Sequence, residues 1–498
     1  MITVGLLQPP NGAGRLARHG AAMPVDLGLD ELYAAMALGD KFVAQVVKAV
    51  VPASLTDVDV IRYRQSVLGD FLATPEMLHD FFTIATEAVA VRRWGSGRGG
   101  TPRVKLGLAR QPLEELAVHL RRLRQTCEKY AGACTSDGLI RLCSVLTDLL
   151  DEDYLVTLSE HLESLDFADY GIMFSATLGA GNKPYRVMLH EPPKEVKRTL
   201  FGPRRGGTAF EATSNFELPH DPLMAVIEPP LDAVAEVVSR ATDNVQEFFR
   251  SLRAELAFYL GCLNLHDRLR RGGVPICFPE PAVGSDPALR AEELRDTSLC
   301  LSSNTVVGNS VDAAGRTLLV VTGANSGGKS TFLRSVGVAQ VMMQAGMFVT
   351  AGSFTADVRE GVWTHFVQRE DSSMTHGRLD EELARIREIT DELRPRAMVL
   401  FNEPFASTND QEAAVIADPI VTALLDSGVK VLIVTHLYDF VHRRYDAGHR
   451  SDLFLRAERT PDGRRTYRLT VGAPEATSHG QDIFARIVGY RPGATGES

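Results

Sequence analysis

The sequence predicts a multidomain chain, an all-α helical core followed by an α/β domain. Three observations carry this. Apolar residues recur by threes and fours through much of the first half. From about Leu318 the pattern changes to buried strands alternating with helices. At that change, Leu318-Leu319-Val320-Val321 runs into Thr322-Gly323-Ala324-Asn325-Ser326-Gly327-Gly328-Lys329-Ser330-Thr331, and a helical pattern follows.

The helical part is read from its seams. Leu113, Leu116, Leu120, Leu123, Cys127 and Tyr130 form a heptad-type stripe, opened by Gln111–Pro112 because proline is tolerated in a first turn. Leu139, Leu142, Leu146 and Leu149 make a second stripe. A third runs through Leu231, Val234, Val238, Ala241, Val245, Phe248 and Leu252, between Pro229–Pro230 and Gly272–Gly273. As one helix of ~40 residues it would span ~60 Å, which favours projecting lever arms. The alternative is the core of a compact bundle, built on the same residues.

The stretch 170–220 has another texture, with Gly179, Gly181, Pro184, Pro192–Pro193 and Gly202–Pro203. It reads as a small β-rich insertion of short strands and turns. It carries Lys194, Lys197, Arg198, Arg204 and Arg205, and a second basic cluster comprises Arg92, Arg93, Arg98, Arg103 and Lys105. Each is either solvated surface or a patch facing phosphates.

In the α/β part, Ala397–Phe401 and Val429–Thr435 read as buried strands, and Leu379 to Leu393 as a helix with Leu379, Leu383, Ile386 and Leu393 near one face. Leu453–Leu455 and Tyr467–Val471 flank the turn Pro461-Asp462-Gly463, a hairpin signal.

The glycine-rich run has the form G-x-x-x-x-G-K-S between strand and helix, as a phosphate-binding loop requires. Glycines let backbone N–H groups curl around phosphate oxygens, and the next helix directs its positive end at the same anion. Lys329 would reach the outer phosphates of ATP, and Ser330 would hold Mg²⁺. The alternative is a glycine-rich turn before an ordinary helix. Such a site also needs a carboxylate at a neighbouring strand tip. Val399-Leu400-Phe401-Asn402-Glu403 offers Glu403 to polarise the attacking water, with Asn402 at the usual metal-linked Asp position. Asn accepts a hydrogen bond from metal-bound water but brings no charge, so the hydrolysis rate is open. His436 ends another strand and is a candidate γ-phosphate sensor. The alternatives are a helix-capping Glu403 and a His436 that satisfies a local hydrogen bond.

The chain has 498 residues, suggesting roughly three domains of ~150 residues. The N-terminal residues show neither a basic region nor a long apolar core, and no apolar run approaches the ~20 residues of a membrane span. Cys127, Cys134, Cys143, Cys262, Cys277 and Cys300 form no CxxC pair, so reduced, mostly buried thiols and a cytoplasmic location are expected. A net charge of −10 argues against a basic nucleic-acid coat but not against a local patch.

These motifs resemble the MutS family of DNA mismatch-repair ATPases, within the ABC-type ATPases. Thr322 to Thr331 resembles T-G-P-N-x-G-G-K-S-T, with Ala324 for Pro. Gln344-Ala-Gly-Met-Phe-Val-Thr-Ala351 resembles A-Q-I-G-x-x-V-P-A, which makes Gln344 the Q-loop candidate for nucleotide contact. Phe401-Asn-Glu-Pro-Phe-Ala-Ser-Thr-Asn-Asp410 is similar to D-E-x-x-x-G-T-S-x-x-D, and Thr435-His436 to the T-H switch. Thr477 to Gly489 is similar to S-Y-G-x-x-V-A-x-L-A-G, and Asp57 to Leu72 to the start of the family's helical core.

The resemblance implies residues 1–25 as an N-terminal segment, 26–300 as a helical core/lever domain with a clamp-like insertion near 170–220, and 301–498 as an ABC-type P-loop ATPase domain. It further implies ATP and Mg²⁺ as cofactors, a homodimer of heads, DNA as partner, and a role in DNA repair or recombination. With only residues 1–25 before the core, a short form without the mismatch-reading and connector domains is expected. The family signature G-x-S-T-F-x-x-E is altered here to Glu370-Asp-Ser-Ser-Met-Thr-His-Gly-Arg-Leu-Asp-Glu-Glu-Leu383. Ser372, Ser373 and Gly377 are available for a composite site, or the segment is a plain loop. Two other functions stay open. One is a slow or non-hydrolysing ATP-gated scaffold. The other is an ABC-type head acting on protein partners.

Overall fold

The structure, a computed structural model, describes residues 5–10, 14–92, 102–165, 173–178, 184–190, 224–284, 288–303, 305–324, 327–367, 377–460 and 465–474. Lys194, Lys197, Arg198, Arg204, Arg205, Arg93, Arg98, Ser372, Ser373, the 461–463 turn and the 477–489 motif lie outside these residues. The described helices of the first half are α1 (Met23–Asp26), α2 (Leu29–Ala37), α3 (Lys41–Val50), α4 (Val58–Ala73), α5 (Pro75–Ala90), α6 (Pro102–Tyr130), α7 (Asp137–Leu149), α8 (Glu152–Ser164) and α9 (Met224–Arg271). Aspartates start several of them. Asp40 caps α3, Asp57 caps α4 and Asp151 caps α8, each accepting backbone N–H groups that the helix leaves unpaired.

The chain divides into two compact units. The first contains His79–Gly132 and Ile140–Arg253. Its core joins Leu106 and Leu113 of α6, Leu162 of α8, and Leu231, Ala235 and Val238 of α9. Strands β1 (Met173–Leu178) and β2 (Pro184–His190) pair antiparallel there.

Two helix starts and one seam residue differ from the sequence expectation. Helix α6 starts at Pro102, and Pro112 lies inside it rather than at its opening. Proline costs one ladder hydrogen bond, but Leu106 and Leu113 on either side are buried, and that packing keeps the helix continuous. Helix α9 starts at Met224, ahead of Pro229–Pro230. The fixed φ of proline, near −65°, is already helical. The second seam ends on buried Leu150, while Leu149 is exposed.

The second unit contains Gly5–Leu78, Ala133–Leu139 and Ala254–Ser498 in its described parts. The remaining elements all lie in it: β3 (Glu280–Ala282), β4 (Leu289–Leu294), α10 (Thr297–Ser302), β5 (Asn309–Asp312), β6 (Leu318–Thr322), α11 (Lys329–Gln344), β7 (Ser353–Asp357), β8 (Val362–Phe366), α12 (Arg378–Glu392), β9 (Met398–Asn402), α13 (Asp410–Asp426), β10 (Lys430–Val434), α14 (Tyr438–Ala447), β11 (Asp452–Arg459) and β12 (Arg465–Val471). Six strands form one sheet in the order β12-β11-β6-β10-β9-β8. Its ladders are parallel except for the β11–β12 hairpin. Every residue of β6 and β10 is buried, as the continuous apolar runs require of strands covered on both faces. A second sheet has the order β3-β7-β4-β5.

A boundary at residue 300 is therefore not where the compact units part. Strands β3 and β4 pair with β7, on the far side of that boundary. The early helices join the α/β unit through polar contacts as well. Arg64 of α4 donates to the Ala345 carbonyl at 3.3 Å, and Gln344 donates to the Leu55 carbonyl at 2.8 Å. Residues 18–20 run beside β8. Arg18 N–H donates to the Glu360 carbonyl, Gly20 N–H to the Val362 carbonyl, and Val362 N–H to Nδ1 of His19.

One interior lysine has an unusual setting. Lys430 opens β10 at 1% exposure, and its Nζ has no hydrogen-bond partner among the described residues. Burial, reinforced by the Arg359 charge and opposed by Asp357, pushes its pKa down to about 7. Unfolded, the amine titrates near 10.5, so between the two values the unfolded chain binds more protons and stability rises with pH. Below about 7 the full cost of the buried charge is present. Lys430→Met is expected to raise the Tm at pH 7 and to flatten its rise towards pH 10, as followed by scanning calorimetry across that range.

Candidate functional site

The site forms where β6, β10 and β9 end side by side. Val434 pairs with Val321 on one side and with Asn402 on the other, so the residues following all three strands emerge at one edge. This edge is the C-terminal end of a parallel sheet, where α/β folds place their ligand crevices.

Strand β6 leads into the glycine-rich loop. Gly323 has φ +109°, and a Cβ there would stand 2.9 Å from the Ala457 nitrogen. Gly328 has φ +93° and caps the N-terminus of α11 without a side chain. Both positions demand glycine. Asn325 and Ser326 lie outside the described residues. Lys329, only 4% exposed, turns back on the loop, and its Nζ donates to the Gly323 carbonyl at 2.8 Å and the Ala324 carbonyl at 3.1 Å. The next residue, Ser330, donates its hydroxyl to Oδ1 of Asn402 at 2.7 Å. That contact joins the two oxygen donors read as metal-linked in the sequence.

Glu403 directly follows β9. Its N–H donates to the Val434 carbonyl at 2.8 Å, and its φ is +56°. Oε1 stands 2.9 Å from Nε2 of His436. The hydrogen bond from His436, against burial and with help from the Lys329 charge, holds the Glu403 carboxyl below the usual carboxylate range. Glu403 is thus an ionised carboxylate at neutral pH, suited to orienting or deprotonating a water.

Lys329, Ser330 and Glu403 border a cavity of about 490 Å³, a volume typical of small-ligand sites. Gly327, Gly328, Lys329, Ser330, Thr331 and Glu403 line one side. Leu299, Val306, Val307 and Tyr467 supply apolar surface on the other. Tyr467 is held in place by its neighbour, since its carbonyl accepts from Asn309 Nδ2 at 3.1 Å. Sequence reading missed this second wall. Its residues come from α10, from the segment before β5 and from β12, and no local pattern links them.

Gln344, expected as a nucleotide contact, lies apart from this cavity. It ends α11, roughly 22 Å along the axis from Lys329 at 1.5 Å per residue. It is wholly buried, and its amide is used up on Leu55, Arg359 and Gln340.

Two family models match the chain. The one described as MutS2 N-terminal domain covers residues 56–272, and the one described as MutS domain V covers 319–486. Among curated proteins, Endonuclease MutS2 of Thermus thermophilus is 29% identical over 160 residues, 32% of this chain and 21% of that protein. Endonuclease MutS2 of Lacticaseibacillus casei is 28% identical over 210 residues, 42% of this chain and 26% of that protein. DNA mismatch repair protein MutS of Chloroflexus aurantiacus is 24% identical over 285 residues, 53% of this chain and 29% of that protein. The match thus spans less than a third of each of these relatives. The helical first part, the mixed α/β second part and two family models in their proper order agree: the chain belongs to the MutS family.

Proposed function

We propose that this chain is an ATP-dependent DNA-binding protein of MutS type, whose head binds and hydrolyses ATP and pairs with a second copy of itself to control lever grip on DNA in repair or recombination. The meeting of Lys329, Ser330 and Glu403 on one cavity, with Asn402 bonded to Ser330 and His436 to Glu403, carries this reading. A triphosphate would take the Lys329 ammonium from the Gly323 and Ala324 carbonyls and lie along the N-terminus of α11. Its base would meet the apolar wall of Val306, Val307 and Tyr467. Glu403, already ionised, would accept the proton of the attacking water, with His436 orienting the carboxylate. Ser330 and Asn402 form an oxygen-only donor pair that suits Mg²⁺, and the ion would neutralise charge on the outer phosphates.

Asn402 favours a second reading, a slow ATP-gated scaffold, because the pair that would hold the metal brings no negative charge. The net charge of −10 keeps protein partners open in place of DNA. By resemblance the protein is a homodimer in the cytoplasm; within the chain, no described helix is long and apolar enough to cross a membrane.

Three experiments test these readings. Lys329→Ala should weaken ATP binding roughly 10- to 100-fold, as expected for loss of about 1.5–3 kcal/mol of charged hydrogen bonding, whereas Glu403→Gln should keep binding, lose turnover and prolong the paired state. Calorimetry, a phosphate-release assay and light scattering read the three effects, and turnover that ignores position 403 would remove that residue from the chemistry. Asn402→Asp should lower the Mg²⁺ concentration for half-maximal turnover and raise kcat; no change in either would set the metal elsewhere. DNA binding in the ATP state should fall steeply with salt in a fluorescence titration, and a flat response would favour protein partners.

A further inference from the structure

Behind the turn that carries Glu403 sits a buried carboxylate with no part in the chemistry above. Glu382, in the second turn of α12, is 5% exposed. Its Oε1 accepts the Phe405 N–H at 2.6 Å and faces Nε2 of His365 at 3.1 Å. Its Oε2 accepts the Ser407 hydroxyl at 3.1 Å. All three partners converge on one carboxylate from two elements, the turn 403–407 and strand β8.

The turn needs such a hold. Glu403 and Phe405 have φ +56° and +63°, in the left-handed region that a non-glycine residue keeps only when its surroundings enforce it. One end is fixed by Glu403 N–H on the Val434 carbonyl. The other is fixed by Glu382 on Phe405 N–H, with the Phe405 ring buried in the core of the sheet. Between these two fixed points the Glu403 side chain points towards His436 and the cavity.

We propose that Glu382 is a positioning residue for the hydrolytic step: by receiving the Phe405 N–H and the Ser407 hydroxyl it fixes the 403–407 turn in the conformation that aims the Glu403 carboxylate. It touches neither nucleotide nor water and acts through Glu403. Burial would raise the Glu382 pKa, but hydrogen bonds from His365, Phe405 and Ser407 hold it below the usual range, so the clamp is charged at working pH. The inference rests on the role of Glu403 given above.

Glu382→Gln keeps an acceptor for the Phe405 N–H and removes the charge. It should lower kcat about 10- to 100-fold, as loss of a supporting contact to a catalytic group does, while KM for ATP stays within about twofold. A purely structural role would not confine the loss to kcat while KM holds. Ser407→Ala deletes one donor without burying a new polar group and should lower kcat about two- to fivefold at constant KM. It decides the matter should the Glu382 variant fail to fold. Unchanged kcat in Glu382→Gln, or a wild-type Ser407→Ala beside a Glu382 variant whose kcat, KM and Tm change together, overturns the proposal. Glu403→Gln measured in parallel separates the levels. If turnover depends on Glu403 but not on Glu382 or Ser407, only the positioning role falls; if it ignores Glu403, the hydrolytic reading falls as well.

Discussion

Register between three neighbouring strands is the constraint on which the candidate site depends. Strands β6, β10 and β9 are parallel and finish level, with Val321, Val434 and Asn402 abreast. A loop beginning at residue 323, a carboxylate at 403 and an imidazole at 436 are far apart in the chain, yet each is the first or second residue past its strand. Shifting β9 by one residue would turn Asn402 to the opposite face and break its contact with Ser330. The fully buried strands resist that slip, because their side chains are packed on both faces.

Much of this was legible in the sequence. The apolar runs at Leu318, Ala397 and Val429 gave the strands, and an abrupt Gly, Asn-Glu or Thr-His after each marked the tips. The helical seams were legible because their period survives proline. Their boundaries were not, since Pro112 and Pro229–Pro230 are punctuation only where packing does not overrule them. The second wall of the cavity was illegible for a different reason. Val306, Val307 and Tyr467 have no periodic or motif signature, and only the folding of β5 and β12 beside the loop brings them to it. Gln344 shows the opposite failure. Its motif was apparent, but the motif describes a sequence position and not the direction of an amide, which here knits α11 to Leu55 and Arg359.

Polar groups in the interior divide into two kinds. Glu382 and Gln344 have their hydrogen-bonding oxygens matched to donors from separate elements, and such groups fix geometry. Around Lys430 the matching is incomplete: Arg359 Nε, Asp357 Oδ1 and Gln340 Oε1 also have no hydrogen-bond partner among the described residues. Glu382 lies behind the sheet edge that carries Glu403, whereas Gln344 adjoins the second group through Gln340 and Arg359, and Lys430 starts β10 at the opposite end.

The segment at residues 18–20 bears on how the α/β unit behaves in isolation. Strand β8 ends its sheet in the described order, and Arg18, His19 and Gly20 occupy the backbone groups at its start, the Glu360 carbonyl and both groups of Val362, with Trp363 lying over Gly20. A recombinant fragment trimmed to begin after residue 20 would bare that rim as a template for strand addition by any neighbouring molecule. Clumping of such a fragment would then report an uncapped sheet, and would be mistaken for nucleotide-driven pairing unless ATP dependence were checked.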